Sequence, residues 1–523
     1  MNFISSVVNS LCKNISVVVT ILIINFFPAG LKAQSGQFQL PAGLSLSNQL
    51  EYSYDIEREI EILENWLNLD YRHAVFSAGI RLDVFQPNDP DPSISRGKER
   101  YADIAFKYIN AGFGDIETGA EITVGNFYEL FGRGLVVKSY EDRNIRIDNN
   151  LLGVSLKGRY AGFIIKAFSG SAENSQAERK DILHAVDLEY EGIGNLNPGI
   201  TFALNQSEVE SIANTRMAAF RIQPSIWNFD LYTEYGVKMN KDIRNNIFGG
   251  EEDFAGEAFY GSLNFYFDSF SIVGEYKYYD NFTFSSQDGT VIYNTPPAVR
   301  KEYAYTLLNR HPSPLNQNNE QGFQLEGFYS LSPETDFLTA YSQTRTLPSA
   351  SYYQRTTGIN QPVQTQLKEV YIQANHHWSD FIYTVAAFGY NEELDSDTKS
   401  ITPIIENRFY FDDINTIKVV LEHQQVTDRR TNEQYYDDLI SVEYLKSPDF
   451  SVSLVTDLQT REPQPGRIVR QLWAFVQFGY KISSHSDLSL LIGSRQAGNI
   501  CIGGVCRYEP EFRGVEFKML TRL

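Results

Sequence analysis

Cysteine is scarce, with three residues in a chain of 523, at positions 12, 501 and 506. That excludes a disulfide-dense scaffold, and the two late cysteines alone cannot make a four-ligand structural zinc site. Bases are outnumbered: 45 Lys and Arg stand against 65 Asp and Glu, and a formal charge of −20 makes nucleic acid a poor partner. Beyond the N-terminus no stretch approaches the ~18 consecutive apolar residues of a spanning helix. Also missing are the fixed-length repeat of a propeller or solenoid and any HExxH, HxxxH or GxSxG spacing. His376 and His377 are neighbours on a strand, so they face opposite sides and cannot share a metal. We expect no catalytic constellation, no metal site and no cofactor.

Residues 1–33 carry Lys13, an apolar stretch from Ile15 to Ile24 and a Pro28-Ala29-Gly30 break before Ala33. This predicts a secretory signal peptide, cleaved before Gln34 and removing Cys12 with it. Residues 34–43 then read as a short periplasmic segment and 44–523 as one domain.

What the chain has in abundance is aromatic residues, 14% of the total, set in short alternating segments. From Trp227 to Asn240 the odd positions read Trp, Phe, Leu, Thr, Tyr, Val, Met and the even ones Asn, Asp, Tyr, Glu, Gly, Lys, Asn. A period of two with one apolar and one polar face is a strand. Tight turns such as Phe267-Asp268-Ser269, Ser379-Asp380 and Ser447-Pro448-Asp449 interleave with long polar loops at 87–99, 239–255, 283–320 and 347–366. Short turns on one side and long loops on the other describe an all-β fold, a transmembrane antiparallel up-and-down β-barrel of the outer-membrane type. Segmentation gives about 24 strands, within a range of roughly 20–26. Trp227 and Trp378, each beside a turn, are expected in aromatic girdles. In the last segment Val515, Phe517 and Met519 face one way and Gly514, Glu516 and Lys518 the other, as a closing strand requires.

Two loops are rich in polar chemistry. Residues 125–149, "GNFYELFGRGLVVKSYEDRNIRIDN", balance Glu129, Glu141, Asp142 and Asp148 against Arg133, Lys138, Arg143 and Arg146. Such balance allows a loop to pack through charge-assisted hydrogen bonds and fold inward as a lumen constriction, with Tyr140 among its residues. The opposing reading is a solvated outer loop whose ion pairs do little. Small residues at predicted lumen positions, Gly119, Gly125, Gly153 and Ser155, would leave room for it. The second loop brackets Arg300, Glu302, Tyr305, Asn309, Arg310 and His311 between Pro296-Pro297 and Pro312-Ser313-Pro314. Proline brackets favour order over a floppy tether, so this loop reads as a plug, a ligand contact, or a cap over its neighbours. Acidic turns at 88–92 and 391–397 lack calcium-loop spacing and read first as solvated.

"CIGGVC", 501–506, fits a hairpin with Gly503-Gly504 at its two-residue turn, which opposes Cys501 and Cys506 in a non-hydrogen-bonded pair. A disulfide is the expected state in an oxidising envelope, as a staple at the outer tip of the last hairpin that helps hold the closing strand.

The segments Gly125-Asn126-Phe127-Tyr128-Glu129, Tyr140-Glu141-Asp142-Arg143 and Asn309-Arg310-His311, with the Cys501–Arg507 hairpin, resemble an uncharacterised family of Bacteroidota outer-membrane proteins. The strand–loop–strand through Asp148-Asn149 and Gly153-Val154 also resembles alginate-export-type and other substrate-selective porins. The first resemblance implies fold and an outer-membrane location, with no activity attached. The second implies passage of an anionic or sugar solute, although the basic constriction this requires is here diluted by equal acid. Three functions compete: a porin-like channel for a small polar solute, a non-conducting subunit of an outer-membrane protein complex, and, least favoured, an outer-membrane enzyme. Outer-membrane lipid and lipopolysaccharide are expected neighbours. A plugged receptor with a large N-terminal domain is disfavoured, since strands begin near Leu44.

Overall fold

The computed structural model describes residues 40–87, 102–115, 117–174, 176–192, 194–207, 214–241, 253–310, 314–349, 351–358, 361–394, 397–464, 466–502 and 505–523. The signal-peptide segment, the 88–92 turn, His311 and the Gly503-Gly504 turn lie outside the described residues. The rest builds a 24-stranded sheet in which each wall strand pairs antiparallel with its sequence neighbours. The first strand, Leu44–Asp55, pairs on one side with Ile60–His73 and on the other with the last strand, Phe512–Arg522, so the sheet closes on itself. Closure removes the edges that an open sheet of this size would present to other chains.

Connections obey the predicted alternation. Ala74–Val75, Ala161–Gly162 and Trp227–Asn228 are short turns at the end that also holds the start of the first strand, Leu44, and the end of the last, Arg522. At the opposite end the connections at 128–150, 281–318 and 346–364 are long. Residues 44–73 and 182–224, where neighbouring segments could be merged on pattern alone, form separate strands, and the count reaches 24.

Side chains alternate as the period of two demands. On Phe229–Lys241 the even residues Tyr232, Glu234 and Lys238 are buried toward the lumen, while Tyr235 and Met239 are exposed outside. Ile200, Phe202, Phe220, Leu421, Ile440 and Leu454 lie on the same outer surface, the apolar face a bilayer requires. The short-turn rim is aromatic: Phe229, Phe265, Phe267 and Phe270 pack with ring centroids 4.0 to 6.3 Å apart. Trp227 is 96% exposed and Trp378 66%, as girdle residues are. His376 meets Thr335 Oγ1 from the outer register, whereas His377 packs on the ring of lumen-facing Tyr383. On the closing strand Lys518 pairs with Glu51 and Glu516 with Arg495, so the Gly514, Glu516 and Lys518 face is the polar one.

One expectation needs correction. The Cys501–Cys506 hairpin does not extend the wall: Gly498–Ile502 and Val505–Glu509 form a two-stranded sheet of their own, inserted between wall strands Ser486–Arg495 and Phe512–Arg522. Those wall strands bond to each other directly, so the closing register is held without the hairpin. Its backbone lies instead against the turn Leu307–Asn309 of the long loop. The register does oppose Cys501 and Cys506.

Candidate functional site

Both polar loops lie inside the lumen. The 128–150 loop leaves the wall at Phe127 and returns at Leu151, residues paired to each other. Gly125 permits the departure: its φ is +114°, and a Cβ there would come within 2.3 Å of the Lys107 carbonyl. The segment doubles back, with Phe131 N–H donating to Val137 O and Ser139 N–H to Glu129 O. Its apolar tip, Phe131, Leu135, Val136 and Val137, is wholly buried. It sits on small lumen side chains, among them Ala172, Ala185, Ala203 and Ala219. A tip built of four apolar residues in a mostly polar loop is the local reason for the inward fold, because outside it would face water.

The predicted constriction residues separate into four places, with Asp142 apart from them. Glu129 is fastened to the wall, accepting from Ser155 Oγ at 2.7 Å and pairing with Lys157 Nζ at 3.1 Å. Glu141, Arg143 and Asp148 gather around Arg81 of the wall: Arg81 reaches Glu141 at 3.0 Å, Asp148 at 2.5 Å and Asp83 at 2.8 Å. Arg143 stacks over Trp66 and donates to Gln49, while Arg146 pairs with Glu64 at 2.9 Å. Burial alone would raise the Asp148 carboxyl, but the Arg81 charge, with hydrogen bonds from Arg81, Asn150 and Tyr128, holds it below the usual range. On the far side Arg133 stacks over Tyr232, and its backbone N–H donates to Glu234. Gly132 is required here, with φ +52° and room for no Cβ, which would fall 2.7 Å from the Glu234 carboxylate. Lys138 lies over the Tyr140 ring at the seam with the second loop, where burial lowers its pKa against the pull of Glu302. Asp142 accepts the Asn144 N–H.

The second loop, 281–318, docks on the first. Asn294 Nδ2 donates to Leu135 O, Lys138 N–H to Tyr293 O and Thr295 N–H to Gly134 O, so the two loops form one body. Phe282, Phe284, Val291 and Tyr293 complete the apolar cluster. After Pro296-Pro297 the chain crosses the lumen as an arm. Arg300 pairs with Glu369 at 3.3 Å, Lys301 with Glu326, and Tyr305 OH donates to Glu406 at 3.4 Å. Thr306 and Leu307 N–H both donate to the Glu422 carboxylate, at 3.1 and 2.8 Å. Arg310 ends the crossing between Asp457 and Asp437, at 2.5 and 3.7 Å. Asn309 is structural, closing the arm on itself through Tyr303 O and Tyr305 O. Leu308 fills a wall notch that Gly389 leaves open, since a Cβ there would lie 2.3 Å from its methyl. Burial, with Glu369 nearby, raises the Tyr303 phenol, and burial with Glu406 raises Tyr305; both stay protonated.

The wall partners were missed from sequence: Glu64, Arg81, Glu234, Glu369, Glu422, Asp437 and Asp457. Each is an ionisable residue at a lumen position of an alternating strand, which is the signal that could have found them. The 391–397 turn is charge-paired, with Glu392 and Asp397 facing Arg429. Among the described residues no group of three or more His, Cys, Asp or Glu could hold a metal.

Among solved structures, the chain is similar to one in an E. coli P pilus tip assembly intermediate, PapC-PapD-PapK-PapG. Identity is 9%, coverage 93% of this chain and 62% of that one, and the TM-score 0.50; the chain thus spans less than two thirds of that relative. The siderophore receptor PirA from Pseudomonas aeruginosa matches at 8% identity, over 93% of this chain and 81% of that one, with a TM-score of 0.45. OccK5 (OpdH) from Pseudomonas aeruginosa matches at 12%, over 73% and 97%, with a TM-score of 0.38. At such identities the likeness concerns fold alone, and the closed, apolar-faced wall defines the class: a large antiparallel β-barrel resembling those of outer-membrane proteins. No curated protein matches the chain. Residues 12–523 match the model of a family of unknown function (DUF6029), and the chain belongs to that family.

Proposed function

We propose that the protein is a loop-plugged channel of a Gram-negative outer membrane, closed at rest by its own 128–150 and 281–318 loops, which passes a small polar solute when they yield. The observation that carries this is the arm. It crosses the lumen on ion pairs and two backbone hydrogen bonds, contacts that water and solute can replace, beside a small apolar contact of Tyr305 and Leu308 with the wall. A wide barrel needs internal packing when it does not conduct, and here a charge-fastened segment supplies part of it. The reading carries with it export by the N-terminal signal segment, a Bacteroidota source, a setting in lipid and lipopolysaccharide, and transport in place of catalysis.

Planar-bilayer recording tests it. Intact protein should show low or rare conductance, and replacement of 299–310 by a Gly-Ser linker should give large, stable steps. Silence of the correctly folded linker variant would sink the channel reading. The second reading, a non-conducting subunit of an outer-membrane assembly, draws on the wholly buried residues Phe131, Leu135, Phe282 and Phe284, which make that half of the plug as firm as a domain core. Co-purification of a stoichiometric partner from native membranes, together with that silence, would favour it.

A further inference from the structure

The wall beneath the arm is a surface of acceptors. Glu369, Glu422, Asp437 and Asp457 come from four strands, and their closest cationic or N–H partners include Arg300, Arg310 and the backbone of Thr306 and Leu307, all on the arm. The wall's own cations make their contacts elsewhere, Arg408 with Glu406 and Arg461 with Gln459 and the Tyr435 ring, although the Arg461 charge also reaches Asp437. A second observation points the same way. Between arm and wall lies a cavity of about 10 Å³, lined by Tyr303, Leu307 and Leu308 on one side and Glu369, Asn391 and Gln424 on the other. That is room for one water-sized group. Gln424 is 1% and Asn391 9% exposed, yet Gln424 Oε1 and Asn391 Oδ1 accept no hydrogen bond. Their amide orientations are fixed, because Gln424 Nε2 donates to Leu307 O and Thr402 Oγ1, and Asn391 Nδ2 to Glu393. The free atoms are therefore acceptors, as is Asp457 Oδ1. Buried acceptors without donors, beside carboxylates, call for a group that brings protons and positive charge.

We infer that this face binds a solute carrying ammonium or guanidinium groups, and that the arm occupies it at rest as an internal surrogate of that solute. The inference rests on the channel reading and deepens it by naming the solute class. Arg300 and Arg310 stand where two cationic groups of the solute would stand, and the paired N–H groups on Glu422 stand for a third donor. A cationic solute entering from the lumen competes for these carboxylates and loosens the arm, so the same chemistry recognises the solute and opens its path. An anionic solute could reach only the arm's arginines, and would leave the wall carboxylates stripped of their partners.

Spermidine is a suitable probe, with glutarate as the opposite-charge control, in calorimetry on the full barrel in detergent and in bilayer recording. Arg310→Gln removes the arm's claim on Asp437 and Asp457 and should tighten spermidine binding at least tenfold over the unaltered protein; Arg300→Gln serves if that variant misfolds. Adding Glu422→Gln and Asp457→Asn should weaken it tenfold or more, and glutarate should bind none of them. The 299–310 linker variant should pass K⁺ in preference to Cl⁻ and be blocked by spermidine. A conducting linker variant with no cation preference and no spermidine binding overturns the site and leaves the channel standing. A silent one that still binds spermidine overturns the channel and leaves the site. Binding undiminished by the Glu422 and Asp457 changes would show only diffuse attraction to an acidic chain, and also overturns the site.

Discussion

The two sides of the lumen hold the same plug by different physics. On one side the strands are short, 9 residues for Gly119–Phe127 and Ile182–Tyr190 and 10 for Leu151–Tyr160, and they line the lumen largely with small apolar side chains. On the other they are long, 15 residues for Thr365–Ser379 and Phe450–Gln464 and 17 for Arg467–Ser483, and carboxylates stand along the strands facing the arm. The low wall grips mainly by burial of Phe131, Leu135, Phe282 and Phe284; the high wall grips by charge beside a smaller apolar contact of Tyr305 and Leu308 with Tyr371, Val385, Ala387 and Ile404. Apolar burial does not answer to a solute, whereas a charged contact is surrendered to any better-paired competitor. On the proposed reading the plug is a fixed half joined to a releasable half, with Pro296-Pro297 at the junction.

The largest effect is expected where the fixed half is breached. Phe282→Ala should cost about 3–5 kcal/mol, as large aromatic truncations in closed cores do. Trypsin cleavage within 128–150 in folded protein should rise a hundredfold or more; an unchanged cleavage rate would mean that this half is already loose. Arg310→Ala comes next, because it strands Asp437 and Asp457 in a buried setting, at a cost of about 3 kcal/mol or more. Its cleavage should rise only within 300–310, and spread into 128–150 would break the division between halves. Gly132→Ala should cost about 1–2 kcal/mol from its positive φ and the Glu234 approach. Hydrogen exchange of the Phe131–Val137 tip should report it.

Acid probes the fixed half in a smaller way. The Asp148 carboxyl is depressed in the folded state, so its contribution is complete above an unfolded value of about 4 and is lost as pH falls through the folded one. Exchange of residues 140–150 should accelerate below that pH, and Asp148→Asn should remove the step. The smallest effect belongs to the terminal hairpin. A Cys501–Cys506 disulfide closes a ring worth at most about 2 kcal/mol by loop entropy, confined to the hairpin. Mass spectrometry of unreduced, alkylated protein should find both thiols blocked to alkylation, and the double Ser variant should keep its melting temperature while its hairpin exchanges faster.

The wall could be read in the sequence because a period of two and a turn every dozen residues are local signals, written in neighbours such as Phe229 to Met239. The alternation even placed Ser155 in the lumen, where it receives Glu129. The inward course of the loops was not written locally. Four acids and four bases in 125–149 serve a solvated loop as well as a buried one, and the partners that decide between them, Arg81 and Glu234, sit far away in the chain. The grouping also escaped. Arg133, Lys138 and Asp148 are close in sequence but lie at different places in the lumen, because a loop crossing a wide space spreads its side chains over separate walls. The hairpin misled for a related reason: its strand pattern was right, while its sheet is not the wall's.

Where each loop leaves the wall, the flanking strands are already bonded to one another, Phe127 to Leu151 and Asp280 to Asn319. The hydrogen-bond ladder of the cylinder is therefore complete without any contribution from its contents. Biogenesis can then proceed as two separate events: lateral assembly and closure of the strands in the bilayer, then settling of the loops into a space that already exists. A chain caught between them would be a closed cylinder whose lumen is not yet filled.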